Sequence, residues 1–205
     1  MIGYYNYTVI LTYLSLLSAL FGTHLAFCGE YVGSLICLLL CGAFDSFDGM
    51  VARTKKGRTE EEKKFGIQID SLVDMFAFGI FPALIGYTLG LKGFLWLFIF
   101  SLYAVCAVSR LGYFNVVEEM RQQGTTEKRK YYQGLPVTSA SLIFPFVYLM
   151  KAFVGLPMMC AIYGIVMAIV AIAFVIDFKM IKPGLRGILI CVALGAIILV
   201  GLLIL

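Results

Sequence analysis

The chain has 205 residues, 61% of them hydrophobic, and a mean hydropathy of +0.96. Soluble domains use about 45–50% apolar residues, so this composition excludes an ordinary soluble domain and points to one integral membrane domain over residues 1–205. The net charge of +4 is too small to argue for nucleic acid, and no such partner is expected.

A helix needs about 20 apolar residues to span a bilayer. On that rule the sequence predicts seven membrane segments: 8–27, 31–53, 66–89, 94–117, 135–150, 157–175 and 184–205. The expected fold is therefore all-α, a polytopic transmembrane helix bundle. Glycine-containing turns at Gly29-Glu30, residues 90–93 and Val154-Gly155 separate neighbouring segments. The fifth segment is short and contains Pro145. His24, the single histidine, reads as an interfacial residue. The six cysteines (Cys28, Cys37, Cys41, Cys106, Cys160 and Cys191) form neither a disulfide framework nor a zinc pattern, and read as small buried hydrophobes. No cleavable signal is expected, because the N-terminus lacks a basic region and a small-residue cleavage site.

Charge placement orients the bundle. Six Lys or Arg fall in residues 53–64, four in 121–130 and three in 179–186, all on alternate connections. The positive-inside rule puts those connections in the cytoplasm, with the N-terminus inside and the C-terminus outside. Of the twelve acidic residues, eight lie in connections or at helix ends. The other four, Asp45, Asp48, Asp70 and Asp74, are embedded in the second and third segments.

A charge at the bilayer centre costs roughly 2.5–3.5 kcal/mol even on mild insertion scales, so embedded carboxylates point to function. They belong to one string: Asp45-x2-Asp48-Gly49-x2-Ala52-Arg53, twelve residues, then Gly66-x3-Asp70-x3-Asp74. The i,i+3 and i,i+4 spacings put each pair on one helix face. Asp45 lies about 12 Å from Arg53 at 1.5 Å per residue, and the hairpin brings the two pairs to the same depth. Four carboxylates at close quarters repel, and one or two divalent cations relieve that repulsion. All-oxygen ligands favour Mg²⁺ or Mn²⁺, with Ca²⁺ also compatible. Gly49, Ala52 and Gly66 keep the adjoining faces small, and Arg53 offers a bidentate donor for phosphate. The expected ligand is a polyphosphate headgroup whose tails remain in lipid.

This string resembles the signature of the CDP-alcohol phosphatidyltransferases, with every fixed position filled. The resemblance implies a six-helix core and two metal ions held by Asp45, Asp48, Asp70 and Asp74. It also implies CDP contacts at Asp45, Gly49, Ala52, Arg53 and Gly66, with Asp74 as the catalytic base. A homodimer is implied as well. One departure lies in the first segment, where members often carry Asn three residues before a Thr and this chain has Val9 before Thr12.

Two shorter stretches, Arg110-Leu111-Gly112-Tyr113-Phe114-Asn115 and Gln133-Gly134-Leu135-Pro136, resemble the phosphatidylserine synthase branch, which usually carries a second Arg where Tyr113 stands. They imply acceptor contacts at Arg110 and Asn115. Arg110, embedded in the fourth segment, suits a carboxylate or phosphate, or neutralises an Asp of the cluster. The expected reaction moves the phosphatidyl group of CDP-diacylglycerol to L-serine, at the cytoplasmic side of a prokaryotic cell membrane. Two alternatives are the same chemistry with glycerol 3-phosphate or inositol phosphate as acceptor, and a divalent-cation transporter. The transporter accounts for the carboxylates but not for Gly49, Ala52 and Arg53 at fixed offsets.

Overall fold

Apolar runs punctuated by glycine turns fold into helices because in lipid every backbone polar group must be satisfied within its own segment. The computed structural model describes residues 3–4, 6–55, 57, 59–124, 131–181 and 185–205. Asn6 opens the first span by accepting the Thr8 N–H at 2.9 Å, which caps a short 3₁₀ turn at Tyr7–Val9. Helix α1 (Ile10–Phe27) follows and packs along α2 (Tyr31–Thr54). Gly22 makes a close approach possible, since a Cβ there would sit 2.5 Å from Phe81 Cζ and 2.6 Å from Cys37 Cβ.

The third span has three parts: α3 (Glu60–Asp74), a π-turn (Met75–Ile80) and α4 (Phe81–Thr88). It begins six residues before the apolar run that predicts it at residue 66. Thr59 and Glu62 form a reciprocal capping box, and Glu60, Glu61 and Glu62 complement the positive end of the helix dipole. Helix α5 (Phe94–Gly124) likewise runs past the predicted end at residue 117. The fifth span is divided into a 3₁₀ turn (Val137–Ser139), α6 (Ala140–Leu149) around Pro145, and a single turn α7 (Lys151–Val154). Helices α8 (Leu156–Val175) and α9 (Leu185–Ile204) complete the bundle. Two three-residue strands, β1 (Tyr131–Gln133) and β2 (Lys179–Ile181), pair antiparallel with Tyr131 opposite Ile181. The three turns predicted from glycine contain Gly29, Gly90 and Gly155 at φ of +84°, +108° and +76°, a region that side-chain-bearing residues avoid.

Six of these segments are long and apolar enough to cross a membrane, and the apolar part of α9, Leu189–Ile204, is a shorter seventh. The chain is an integral membrane protein with an all-α fold. Its outer surface is apolar: Phe21, Phe94, Leu97, Ile197 and Leu203 are all exposed. The interior is a packed aromatic layer. Tyr103, Phe144 and Tyr163 are fully buried, with ring centroids 5.8 Å apart for Tyr103–Phe144 and 4.8 Å for Phe144–Tyr163. Two of its tyrosines donate to backbone carbonyls of the third span, Tyr103 to Phe78 O at 2.6 Å and Tyr163 to Pro82 O at 2.8 Å.

Candidate functional site

Helices α2 and α3 bring the two aspartate pairs together, as their spacing predicts. Carboxylate oxygens of Asp45, Asp70 and Asp74 all lie within 4.8 Å of one another. Asp74, the last residue of α3, is 8% exposed, while Asp45, Asp48 and Asp70 are half-buried. Asp48 completes the quartet beside Asp70, and accepts a hydrogen bond from Thr12 Oγ1 of α1 at 3.3 Å. Thr12 thus belongs to the site, although the sequence marks it only as the residue after a missing Asn. A hydroxyl on the face of α1 that meets α2 is the signal that could have identified it.

The residues expected to meet a nucleotide lie beside this cluster. Gly49 is exposed, and a Cβ added there would meet nothing within 4 Å. Ala52 and Gly66 are half-buried on the facing helices. Arg53 occupies the last turn of α2, and its side chain lies outside the described residues. The N-terminal residues run across this end of the hairpin. Asn6 Nδ2 donates to Glu62 Oε1 at 3.3 Å, the Tyr7 and Thr54 hydroxyls are 3.1 Å apart, and Tyr4 stacks edge-on against Phe65. Lys55 pairs with the same Glu62 oxygen at 2.6 Å, and Lys63 pairs with Glu60 at 2.7 Å.

Arg110 and Asn115, both on α5, go to different partners. Arg110 is buried, and its Nε donates to the Leu135 carbonyl. That carbonyl belongs to a segment fixed on the end of α8: Gly134 N–H bonds Phe178 O at 2.8 Å and Leu135 N–H bonds Ala173 O at 3.1 Å. Gly134 has φ +69°, and a Cβ there would meet the Ile176 and Phe174 carbonyl oxygens at 3.1 Å, so glycine is required twice over. Asn115 reaches the aspartate helix. Its amide and the Ser71 hydroxyl are linked by contacts of 2.9 and 3.0 Å, next to Asp70. Tyr113, where the resembling branch has Arg, donates instead to Gln133 Oε1 at 2.9 Å. Ser71 gave no sequence signal, since serine is an ordinary residue in membrane helices.

The donor set fits hard divalent cations. It contains only carboxylate oxygens, and three of them converge from two helices in an apolar setting. The ion pairs Lys55–Glu62 and Lys63–Glu60 lie on the connection, not on the cluster. Mg²⁺ and Mn²⁺ take such oxygen ligands, commonly completed by water and phosphate.

The sequence model of the CDP-alcohol phosphatidyltransferases matches residues 5–177. The chain is 34% identical over 116 residues to CDP-diacylglycerol–serine O-phosphatidyltransferase of Saccharomyces cerevisiae, covering 56% of this chain and 41% of that protein. It is 34% identical over 138 residues to archaetidylserine synthase of Methanothermobacter thermautotrophicus, covering 67% of this chain and 52% of that one. It is also 30% identical over 124 residues to the Helicobacter pylori CDP-diacylglycerol–serine O-phosphatidyltransferase, covering 57% and 47%. The matched region spans about half the length of these relatives.

Proposed function

Because the chain belongs to the CDP-alcohol phosphatidyltransferase family, we propose that it transfers the phosphatidyl group of CDP-diacylglycerol to the hydroxyl of L-serine, releasing CMP. The observation that carries this reading is the convergence of Asp45, Asp70 and Asp74 within 4.8 Å on membrane helices, with Asp48 adjoining. The choice of serine rests on the relatives: serine is in all three names, whereas the lipid differs between them. Family membership favours an enzyme over a cation transporter. Residues 1–205 act as one membrane domain, in a homodimer, with the site facing the cytoplasm of a prokaryotic cell.

Asp45, Asp48, Asp70 and Asp74 would hold two Mg²⁺ or Mn²⁺ ions. When bound, these ions supply positive charge that stabilises the pyrophosphate and the departing CMP. The protein's own groups do the remainder. The exposed backbone at Gly49, with Ala52 and Gly66, admits the cytidine nucleotide close to the helices, and Arg53 supplies a guanidinium for its phosphates. The lipid tails stay in the bilayer beside the apolar surface. Asp74, the buried member of the quartet, accepts the serine hydroxyl proton. The serine oxygen then forms a bond to the phosphorus that carries diacylglycerol. The bond from that phosphorus to the bridging oxygen breaks, and CMP leaves with the electron pair. Arg110 and Asn115 line the approach of the acceptor, with Asn115 held against Ser71.

The test is acceptor choice by purified protein. With CDP-diacylglycerol and Mn²⁺, serine should give phosphatidylserine by mass spectrometry, while glycerol 3-phosphate and inositol phosphate give nothing. Product with either phosphorylated alcohol and none with serine would overturn the substrate and keep the chemistry.

A further inference from the structure

The third span changes its winding immediately after Asp74. Residues Met75–Ile80 form a π-turn, in which Phe81 N–H bonds Phe76 O five residues back. Pro82 follows in the first turn of α4. It has no N–H, so the carbonyl of Phe78, four residues earlier, lacks its α-helical donor. Another helix supplies a donor: Tyr103 Oη of α5 donates to Phe78 O at 2.6 Å. Both residues are fully buried. The Tyr103 ring is fixed between Phe144 and Phe174, with centroids 5.8 and 5.3 Å away. Gly79 lets α5 come this close, because a Cβ there would meet Met75 Sδ at 2.8 Å and Ala107 Cβ at 3.2 Å.

We infer that Tyr103 is a positioning residue for the Asp70/Asp74 pair, acting through the π-turn whose Phe78 carbonyl it bonds. The inference rests on the proposed reading of these aspartates as divalent-metal ligands. A π-turn accommodates one residue more than an α-turn of 3.6 residues, so relaxation to α-helix would rotate the α3 face relative to α4 by about 100°. Asp74 sits at that junction. The Tyr103 hydroxyl serves the backbone four residues beyond Asp74.

Tyr163 supplies the control. It is equally buried and donates to Pro82 O of the same span at 2.8 Å, beyond the π-turn. Wild type, Tyr103→Phe and Tyr163→Phe would be purified in detergent and titrated with Mn²⁺ alone, reading free Mn²⁺ by electron paramagnetic resonance. Thermal midpoints, and kcat and KM for serine, would be measured on the same samples. Tyr103→Phe should weaken Mn²⁺ binding about tenfold, the order expected for the loss of one buried hydrogen bond, and lower kcat more than it raises KM. Tyr163→Phe should lower the thermal midpoint while binding Mn²⁺ as wild type does. Equal weakening in both variants would overturn the inference, as would Tyr103→Phe matching wild type. A wild type that binds no Mn²⁺ would overturn the metal reading and this inference together, a result distinct from either. Should Tyr103→Phe fail to fold, Phe174→Leu takes its place, loosening the ring contact that holds Tyr103 against the third span. Weaker Mn²⁺ binding in Phe174→Leu than in Tyr163→Phe supports the inference, and binding equal to Tyr163→Phe overturns it.

Discussion

Two glycines seven residues apart on α2 separate packing from binding. At Gly49 an added Cβ would meet nothing within 4 Å, and the residue is exposed. Gly49→Ala should therefore leave the fold intact and favour the helix by about 1 kcal/mol through propensity alone. If the cytidine nucleotide lies on that face, the methyl enters its space. Forcing a methyl into a fitted contact costs about 1–3 kcal/mol, which at 1.4 kcal/mol per decade raises the KM for CDP-diacylglycerol roughly 5- to 150-fold. Gly42→Ala makes the opposite prediction. Its Cβ would overlap Ser141 Oγ and lie 2.6 Å from Ser141 Cβ, where ordinary contact is 3.4–4 Å. The α2–α6 contact must open by close to 1 Å, one turn before Asp45, lowering stability by about 1–3 kcal/mol and the rate by about a hundredfold through misplacement of the site. CMP release at varied CDP-diacylglycerol, with thermal unfolding of the same samples, reads both. Gly49→Ala with unchanged KM would refute the nucleotide assignment, and Gly42→Ala with unchanged thermal midpoint would refute the packing argument.

Thr12→Val removes the hydroxyl that donates to Asp48 and should weaken Mn²⁺ binding severalfold, for a loss of about 1 kcal/mol; titration of free Mn²⁺ checks it. Ser71→Ala and Asn115→Ala remove the two ends of one contact. A double-mutant cycle on serine KM should therefore show coupling of about 0.5–1.5 kcal/mol, and additive effects would contradict the pairing. Gly134→Ala places a Cβ at φ +69° against two backbone carbonyls and should lower stability by at least about 1 kcal/mol, seen as a drop in thermal midpoint.

The bundle and the aspartate cluster were legible in the sequence for the same physical reason. Apolar runs of membrane length must be helices, and charges inside such runs stand out against them. The helical spacings of Asp45/Asp48 and Asp70/Asp74 then fixed which faces meet. Helix ends were harder to place, because α3 starts with a polar turn capped by Thr59 that hydropathy does not register, and α5 continues as a polar extension to Gly124. The partners of the site were least visible. Thr12, Ser71 and Tyr103 meet their contacts through helix packing between segments 36, 44 and 25 residues apart, which no local pattern encodes. The π-turn has a cue only in hindsight, in Pro82 eight residues after Asp74.

The most direct test of the account is chelator-reversible CMP release from CDP-diacylglycerol and serine, measured on wild type and Asp74→Asn. Wild-type release should stop with EDTA and return with Mn²⁺ or Mg²⁺, and folded Asp74→Asn should release at most a trace under any condition. Release that persists in EDTA, or in Asp74→Asn at the wild-type rate, would contradict it.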